Sequence, residues 1–283
     1  MTEKRIKKIV DLVESQSLDE LSEDLAFSAS IFMVFGLPTR KLKDHPESWI
    51  KENKFYKLSI QRSPDKKRNI PYGCYSRMNQ IFIDTEVKKK NTNVIQLGKS
   101  FSEYVENLGY SRGKANQAIL SRLVDYVSSR IIVEPKREIG RISGIQTGVG
   151  RAWDIYFDYS NPSQLMLQEG KIILDEEYAK YIYNHAVPID MNIIRVFKNN
   201  ATALDFIRFL AYRNNNLNKE ISFPEENLFD HLGTQTEHKY LLRTRLKNVL
   251  KMLQVYWPVQ ASFQDGYFCL KPSPPAIEKK KLK

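Results

Sequence analysis

Apolar residues recur at helical spacing in two stretches of the chain that share one layout, over residues 97–159 and residues 223–270. Each stretch predicts a short helix, a tight turn and a longer basic helix, followed by a strand, a turn and another strand. The repetition of this order predicts a pair of related helix-turn-helix units, each with a hairpin after it.

The first unit begins with a capping box of Ser100 and Glu103, and its short helix is predicted to end at Gly109. Residues 110–113 supply the turn before the longer helix. The apolar faces of the two helices consist of Phe101, Val105 and Leu108, then Ala115, Ile119, Leu123 and Val127. Both faces are therefore predicted to pack on a core.

The second unit repeats these signals. Pro224 suits a first helical position, Gly233 a helix stop, and Thr234 with Glu237 a second capping box. An Asp265-Gly266 turn predicts the hairpin. The apolar positions are Leu228 and Leu232 in the short helix, then Leu242, Leu246, Val249 and Leu253 in the long one.

The remaining periodic segments predict strands between the helices. Residues 131–133 and 153–157 are predicted strands around a stretch over residues 136–151 that is rich in glycine and arginine, as a flexible wing would be. Two further strands are predicted over 56–60 and 94–97, and a further helix over 201–212. Apolar residues at helical spacing from Tyr72 predict another helix that ends before Asn91, and Pro71 suits its first position. These elements predict an α+β fold with tandem winged-helix domains.

The chain has a net charge of +11 and a pI near 9.4, which favour polyanionic partners because each neutralised phosphate releases condensed counterions. The positive charge lies mostly beyond an acidic segment over residues 11–24. No apolar run approaches the roughly 20 residues that span a bilayer. The two cysteines, Cys74 and Cys269, have no partner at metal-ligand spacing. These features predict a cytoplasmic protein with reduced thiols and no membrane contact.

The candidate DNA contacts lie on the polar faces of the longer helices and on the wing. The first unit supplies Arg112, Lys114, Gln117, Ser121 and Arg122, with Arg137, Arg141 and Arg151 on the wing. The second unit supplies Tyr240, Arg243, Thr244, Lys247 and Lys251, and Asn248 shares their face. A single basic helix face is more often only solvated. Two such faces in matching contexts predict major-groove contacts, with the wing arginines on flanking backbone or minor groove.

The sequence carries no local signature of an active site. Residues 140–150 are glycine-rich, but no Lys-Ser or Lys-Thr follows them, and residues 109–114 fall one residue short of a P-loop. The histidines His45, His185, His231 and His238 include no closely spaced pair such as a metal-dependent nicking site would have. We therefore predict a protein without catalytic activity, cofactor or metal. A nuclease or relaxase is the alternative from the enzyme class.

Several short motifs resemble those of one protein family. They are Ile70-Pro71-Tyr72-Gly73, Asp84-Thr85-Glu86, Leu97-Gly98-Lys99-Ser100 and Leu108-Gly109, then Pro188-Ile189-Asp190, Ala203-Leu204-Asp205, Leu210-Ala211-Tyr212-Arg213 and Leu270-Lys271-Pro272-Ser273-Pro274. Through them, residues 36–277 resemble the plasmid-encoded RepA replication initiators. The resemblance implies two winged-helix domains that bind repeated sequences at a plasmid origin, help to open the duplex there and bring host replication proteins to it.

The predicted organisation is an N-terminal arm over residues 1–35, a first winged-helix domain over 36–165, a second over 166–277 and a basic tail over 278–283. A helical arm and a partly disordered one are both compatible with the sequence. The predicted function is plasmid replication initiation on double-stranded origin DNA. A tandem winged-helix repressor acting on its own promoter is the alternative, and the sequence leaves monomer and homodimer open.

Overall fold

The computed structural model describes residues 25–53, 56–111, 116–136, 145–155, 164, 169–215, 217–232, 234 and 238–277. Helices and antiparallel sheets are interspersed throughout this part of the chain, and the predicted α+β class is confirmed. None of the helices within it is both long and apolar enough to cross a bilayer.

Within the described residues, six helices follow predicted apolar periods, and three were not predicted. In chain order they are α1 (Ser30–Val34), α2 (Gly73–Lys90), α3 (Phe101–Asn107), α4 (Asn116–Val127), α5 (Glu176–His185), α6 (Met191–Val196), α7 (Ala201–Asn215), α8 (Glu225–His231) and α9 (Lys239–Tyr256). The three that were not predicted are α1, α5 and α6. α2 ends at Lys90, before Asn91 as predicted, and Asn91 caps it in the left-handed conformation with φ 47°. Pro71 precedes α2 by two residues instead of opening it. α7 runs past its predicted end because Asn214 is buried and its amide donates to the Ser273 carbonyl at 2.9 Å.

The strands form four antiparallel sheets within the described residues, in the orders β1-β9, β2-β3-β5-β6, β4-β8-β7 and β10-β12-β11. The strands are β1 (Leu25–Ala29), β2 (Ser48–Glu52), β3 (Tyr56–Gln61), β4 (Val94–Gln96), β5 (Arg130–Pro135), β6 (Ile145–Gly148), β7 (Gly150–Asp154), β8 (Lys171–Leu174), β9 (Ala186–Asp190), β10 (Ile221–Pro224), β11 (Ala261–Gln264) and β12 (Tyr267–Leu270). The predicted strands at 56–60 and 94–97 correspond to β3 and β4.

The first helix of the first predicted unit has the predicted cap. The Ser100 Oγ accepts a hydrogen bond from the Glu103 N–H at 3.2 Å. The Glu103 carboxylate accepts in turn from the Lys99 N–H at 2.7 Å, one residue before the position that a capping box uses. Gly109 follows α3 with φ +77°. The predicted core face of α4 is confirmed where it is described, since Ile119, Leu123 and Val127 are fully buried.

The hairpin after α4 differs from its prediction. β5 pairs with β6, with Ile131 opposite Thr147, while residues 153 and 154 of the predicted second strand belong to β7. The chain leaves this sheet at Val149, whose N–H donates to the Ser129 carbonyl at 3.0 Å. β7 then pairs with β8 in a different sheet. The prediction was wrong because the change of sheet depends on the close approach of Gly150 to the end of α4, which periodicity does not indicate.

Gly150→Ala should lower the free energy of unfolding by about 1–3 kcal/mol, the usual cost of overpacking. An added Cβ would lie 2.7 Å from the Val127 carbonyl oxygen, so backbone would have to move. Gly148→Ala is the matched control, since its Cβ would lie 3.6 Å from the nearest atom, an ordinary contact. Urea unfolding of both variants measures the difference, and equal midpoints would contradict it.

The second unit buries the predicted stripe of α9. Leu242, Leu246, Val249 and Leu253 are all buried. The predicted turn has φ +45° at Asp265 and +79° at Gly266, as a tight type I′ hairpin requires. α9 begins at Lys239, with His238 before it, so the predicted cap at Thr234 does not open the helix. Pro224 is the N-cap of α8 and not its first helical residue. Gly233 and Glu237 lie outside the described residues.

The described part of the predicted arm belongs to the core. β1 pairs with β9 along its whole length and every one of its residues is buried. The sheet β4-β8-β7 joins strands from both sides of residue 165. Strands of each predicted segment thus pair with strands of another, and the domain boundaries stay predictions. Residues 1–24 and the tail over 278–283 lie outside the described residues.

Candidate nucleic-acid interface

The exposed face of α9 is basic from Lys239 to Lys251. The buried leucine stripe fixes the orientation of the helix, so the residues opposite it face solvent. The helix contains no acidic residue, and its basic residues are Lys239, Arg243, Arg245, Lys247 and Lys251. The predicted contacts Thr244, Lys247 and Lys251 are exposed, as is Asn248. Tyr240, another predicted contact on this face, is 76% exposed. Arg245 is also exposed and was missed by the helical-wheel argument.

Arg243 is the basic residue of α9 that forms a short, largely buried ion pair. Its Nε lies 2.9 Å from the Glu225 Oε2 at the start of α8, and 29% of its side chain is exposed. The next acid, Glu226, lies 3.7 Å from Lys239, with both side chains largely exposed. The sequence shows two acidic residues directly after Pro224, but it does not show how close they lie to α9.

The first unit presents fewer free cations in its described part. Gln117 on α4 is exposed and Ser121 is half-buried. The Arg122 Nη1 lies 2.7 Å from the Asp125 Oδ2, and only 13% of its side chain is exposed. The guanidinium also stacks over the Tyr72 ring, 4.1 Å from its centre. These contacts favour a structural role for Arg122, while its DNA contact stays a prediction. Arg112 and Lys114 lie outside the described residues.

Asp125 explains why Arg122 is held so firmly. Its other carboxylate oxygen accepts from the Asn69 N–H at 3.1 Å. Burial raises the pKa of Asp125, and the Asn69 hydrogen bond and the charge of Arg122 oppose this. The carboxylate is fully buried, so removal of its arginine would leave an unpaired charge. Arg122 therefore links α4 to the segment before α2.

Of the predicted wing arginines, the structure places Arg151, and it lies outside the hairpin of β5 and β6. Arg151 lies exposed on β7 and pairs with Glu176 at 3.2 Å, in the sheet that contains β8. Arg137 and Arg141 belong to the segment between β5 and β6, which lies outside the described residues. At the base of this hairpin Lys136 pairs with Glu52 at 2.6 Å. Arg151 is thus on a different sheet from β5 and β6.

The described residues do not place metal-ligand side chains together. Among them, no group of three or more His, Cys, Asp or Glu residues could hold a metal ion. Both cysteines are free thiols, and the Cys269 Sγ lies 3.3 Å from the Ser222 Oγ.

A model of the plasmid-encoded RepA protein family matches residues 70–229. The chain belongs to this family. The match covers more than half of the chain, begins at the motif that starts with Ile70 and ends within α8. The resemblance predicted from the sequence motifs is therefore confirmed, and the RepA chain is a member of a family of plasmid replication initiators. α9 and the final hairpin lie beyond the matched residues.

Two solved structures share the fold of this RepA chain. A selenomethionine derivative of domains 2 and 3 of RctB has a TM-score of 0.53 at 8% identity, with 88% of this chain and 96% of that chain covered. A second crystal structure of RctB domains 2 and 3 has a TM-score of 0.51 at 9% identity and covers 88% and 98%. No curated protein matches the chain. At such low identity the likeness concerns the fold alone.

Proposed function

We propose that this RepA chain initiates plasmid replication by binding repeated duplex sequences at the origin through two winged-helix units. The observation that carries the proposal is α9, a long helix with a buried leucine stripe, an acid-free basic face and a hairpin directly after it. In a family of plasmid initiators, such a helix is suited to the major groove. The order β10, α8, α9, β11 and β12 is the order that a winged helix has, and α3, α4, β5 and β6 follow the same order without the opening strand.

In this proposal the basic residues of α9 contact different parts of the DNA. Lys247 and Lys251 on α9 grip phosphate and set the register, while Arg243 contacts base edges. The hairpin turn at Gly266 lies beside the start of α8, because the Gly266 carbonyl accepts from the Glu225 N–H at 3.0 Å. The turn can therefore approach flanking backbone when α9 is in the groove. The protein does no bond chemistry in this role, acts in the cytoplasm where plasmid DNA lies and delivers host replication proteins to the opened origin.

Footprinting on the DNA that flanks the gene, at several salt concentrations, tests the proposal. Protection of regularly spaced direct repeats, together with melting of adjacent duplex, supports initiation. A lone inverted repeat over the promoter would instead favour the repressor function with a symmetric dimer. Binding that is lost at moderate salt and leaves no footprint would contradict both functions. Metal-dependent cleavage of the labelled DNA would show that the protein is an enzyme.

Lys247→Ala combined with Lys251→Ala should weaken DNA binding by roughly tenfold per lysine near 0.1 M salt, because each phosphate contact contributes about 0.9 to the slope of log K against log salt concentration. The slope should fall by about two units for the pair. Lys180→Ala is the control, since this exposed lysine lies on α5. Fluorescence anisotropy with labelled duplex measures both quantities. A slope unchanged in the double variant would exclude these lysines from the interface.

A further inference from the structure

Glu225 contacts three elements of the second unit. It begins α8, its backbone N–H donates to the Gly266 carbonyl in the hairpin turn, and its carboxylate lies 2.9 Å from Arg243 on α9. Only 13% of its side chain is exposed. Within the described part of the chain, neither the Glu225 Oε2 nor the Arg243 Nε has a hydrogen-bond partner. The two side chains are therefore held by charge and confinement, at a point between the candidate recognition helix and the hairpin.

We propose that Glu225 determines the specificity of DNA binding by positioning Arg243 for the edge of a guanine and against phosphate. The proposal rests on the function proposed above. An arginine free on a helix face samples many rotamers, and any nearby phosphate attracts it. A carboxylate against Nε limits those rotamers and supplies an anion that a phosphate would have to displace. Exchange of the carboxylate for a phosphate gains little binding free energy. The ion pair of Arg243 with Glu225 therefore disfavours DNA binding that depends on phosphate contacts alone.

A guanine edge can bind Arg243 without displacing the Glu225 carboxylate. Its O6 and N7 are neutral acceptors that match the fork formed by the two terminal nitrogens of a guanidinium. Arg243 touches Glu225 through Nε, so a bidentate contact with guanine does not require the ion pair to break. The carboxylate thus opposes phosphate contacts more than guanine contacts. Glu225 acts through Arg243 and needs no contact with DNA itself.

Glu226 provides a matched control one residue further along α8. It carries the same charge, pairs with Lys239 at 3.7 Å, and 51% of its side chain is exposed. An exposed pair at this distance is screened by solvent and salt and holds its lysine weakly. Glu225→Gln and Glu226→Gln therefore change the net charge equally, but only the first releases Arg243.

The test compares the full chain and its variants on the DNA fragment protected in footprinting and on a random duplex of equal length. Glu225→Gln should bind the random duplex more tightly, with a salt slope steeper by about 0.9, and its ratio of specific to random affinity should fall by about tenfold. Glu226→Gln should change both affinities alike and keep the ratio. In an Arg243→Ala background, Glu225→Gln should no longer change the ratio, and Glu225→Asp should restore it partly in the wild-type background.

Each result decides the proposal. If Glu225→Gln and Glu226→Gln give equal ratios while the wild-type chain discriminates, Glu225 does not determine specificity and the proposed function stands. The same follows if Glu225→Gln lowers the ratio equally with or without Arg243. If the wild-type chain binds both duplexes alike, the proposed function fails and this inference fails with it. Should Glu225→Gln unfold the chain, Glu225→Asp decides, because a shorter carboxylate that kept the full ratio would overturn the positioning role.

Discussion

Replacing Asp205 with alanine should lower the free energy of unfolding by about 3–5 kcal/mol, the cost of leaving buried charges unpaired. Asp205 on α7 lies between two arginines that are fully buried. Arg77 on α2 donates from Nε to Oδ1 at 2.7 Å and from Nη2 to Oδ2 at 2.5 Å. Arg208, one turn along α7, donates to Oδ1 at 2.8 Å. Loss of the carboxylate would leave both guanidinium groups without a counter-charge there.

Because Asp205 lies between several elements, its replacement should destabilise the whole fold and not one helix alone. Arg77 also donates to the carbonyls of Leu37, Pro38 and Gly73, and Arg208 donates to the Gln80 side chain at 2.8 Å. The cluster therefore joins α2, α7 and the segment after α1. Because it lies in the interior, its contribution should persist at high salt, unlike that of a surface pair.

Urea unfolding followed by circular dichroism measures the effect. Asp190→Ala is the control, since Asp190 caps α6 by accepting from the Asn192 N–H at 2.7 Å, and the loss of such a cap costs about 1 kcal/mol. A loss for Asp205→Ala no larger than for Asp190→Ala would mean that the two arginines find other partners. It would then contradict the central role of this carboxylate in the core.

Local patterns account for the parts of the fold that sequence predicted well. The stripe on α9, the Ser100 cap and the Asp265-Gly266 turn each depend on residues within one or two turns of one another, and each is confirmed. Periodicity also separated the basic face of α9 from its core face correctly. Information of this kind is contained in a short window of sequence.

Contacts between distant segments could not be predicted in the same way. β1 pairs with β9 across more than 150 residues, and nothing in either strand specifies the other. Arg77 and Arg208 are fully buried, unlike most arginines, because each donates to the carboxylate of Asp205, and no local pattern indicates that contact. The pairing of Arg243 with Glu225 was missed because a helical wheel describes one helix and not its neighbours.

Replacing Asp84 with asparagine should remove a pH dependence of stability from the chain. Asp84 on α2 is fully buried, and its Oδ2 accepts from the Ala29 N–H in β1 at 2.7 Å. Burial raises the pKa of Asp84 to about 7, against the opposing effects of the Ala29 hydrogen bond and the charge of Arg208. An asparagine can keep the acceptor oxygen for Ala29 without carrying a charge into the core.

The sign of the effect follows from proton binding. In the unfolded chain the Asp84 pKa returns to its ordinary value of 3.8, so between that pH and about 7 the native state binds more protons than the unfolded state. The wild-type chain should therefore lose stability as pH rises through this window, and the loss should level off above pH 7. A difference of about three pKa units corresponds to at most about 4 kcal/mol. As pH rises from about 5 to about 8, roughly two pH units of this interval are crossed, so Asp84→Asn should gain about 2–3 kcal/mol in free energy of unfolding relative to the wild type.

Urea midpoints of both proteins across this pH range measure the gain directly, because the other titrating groups are common to both and cancel in the difference. Asp265→Asn is the control, since it removes an exposed carboxylate at a left-handed turn position that asparagine tolerates. Its difference from the wild type should stay constant with pH. A constant difference for Asp84→Asn as well would mean that the buried carboxylate stays ionised throughout, held by Arg208, and that β1 is attached to α2 by a charged hydrogen bond instead of a protonated one.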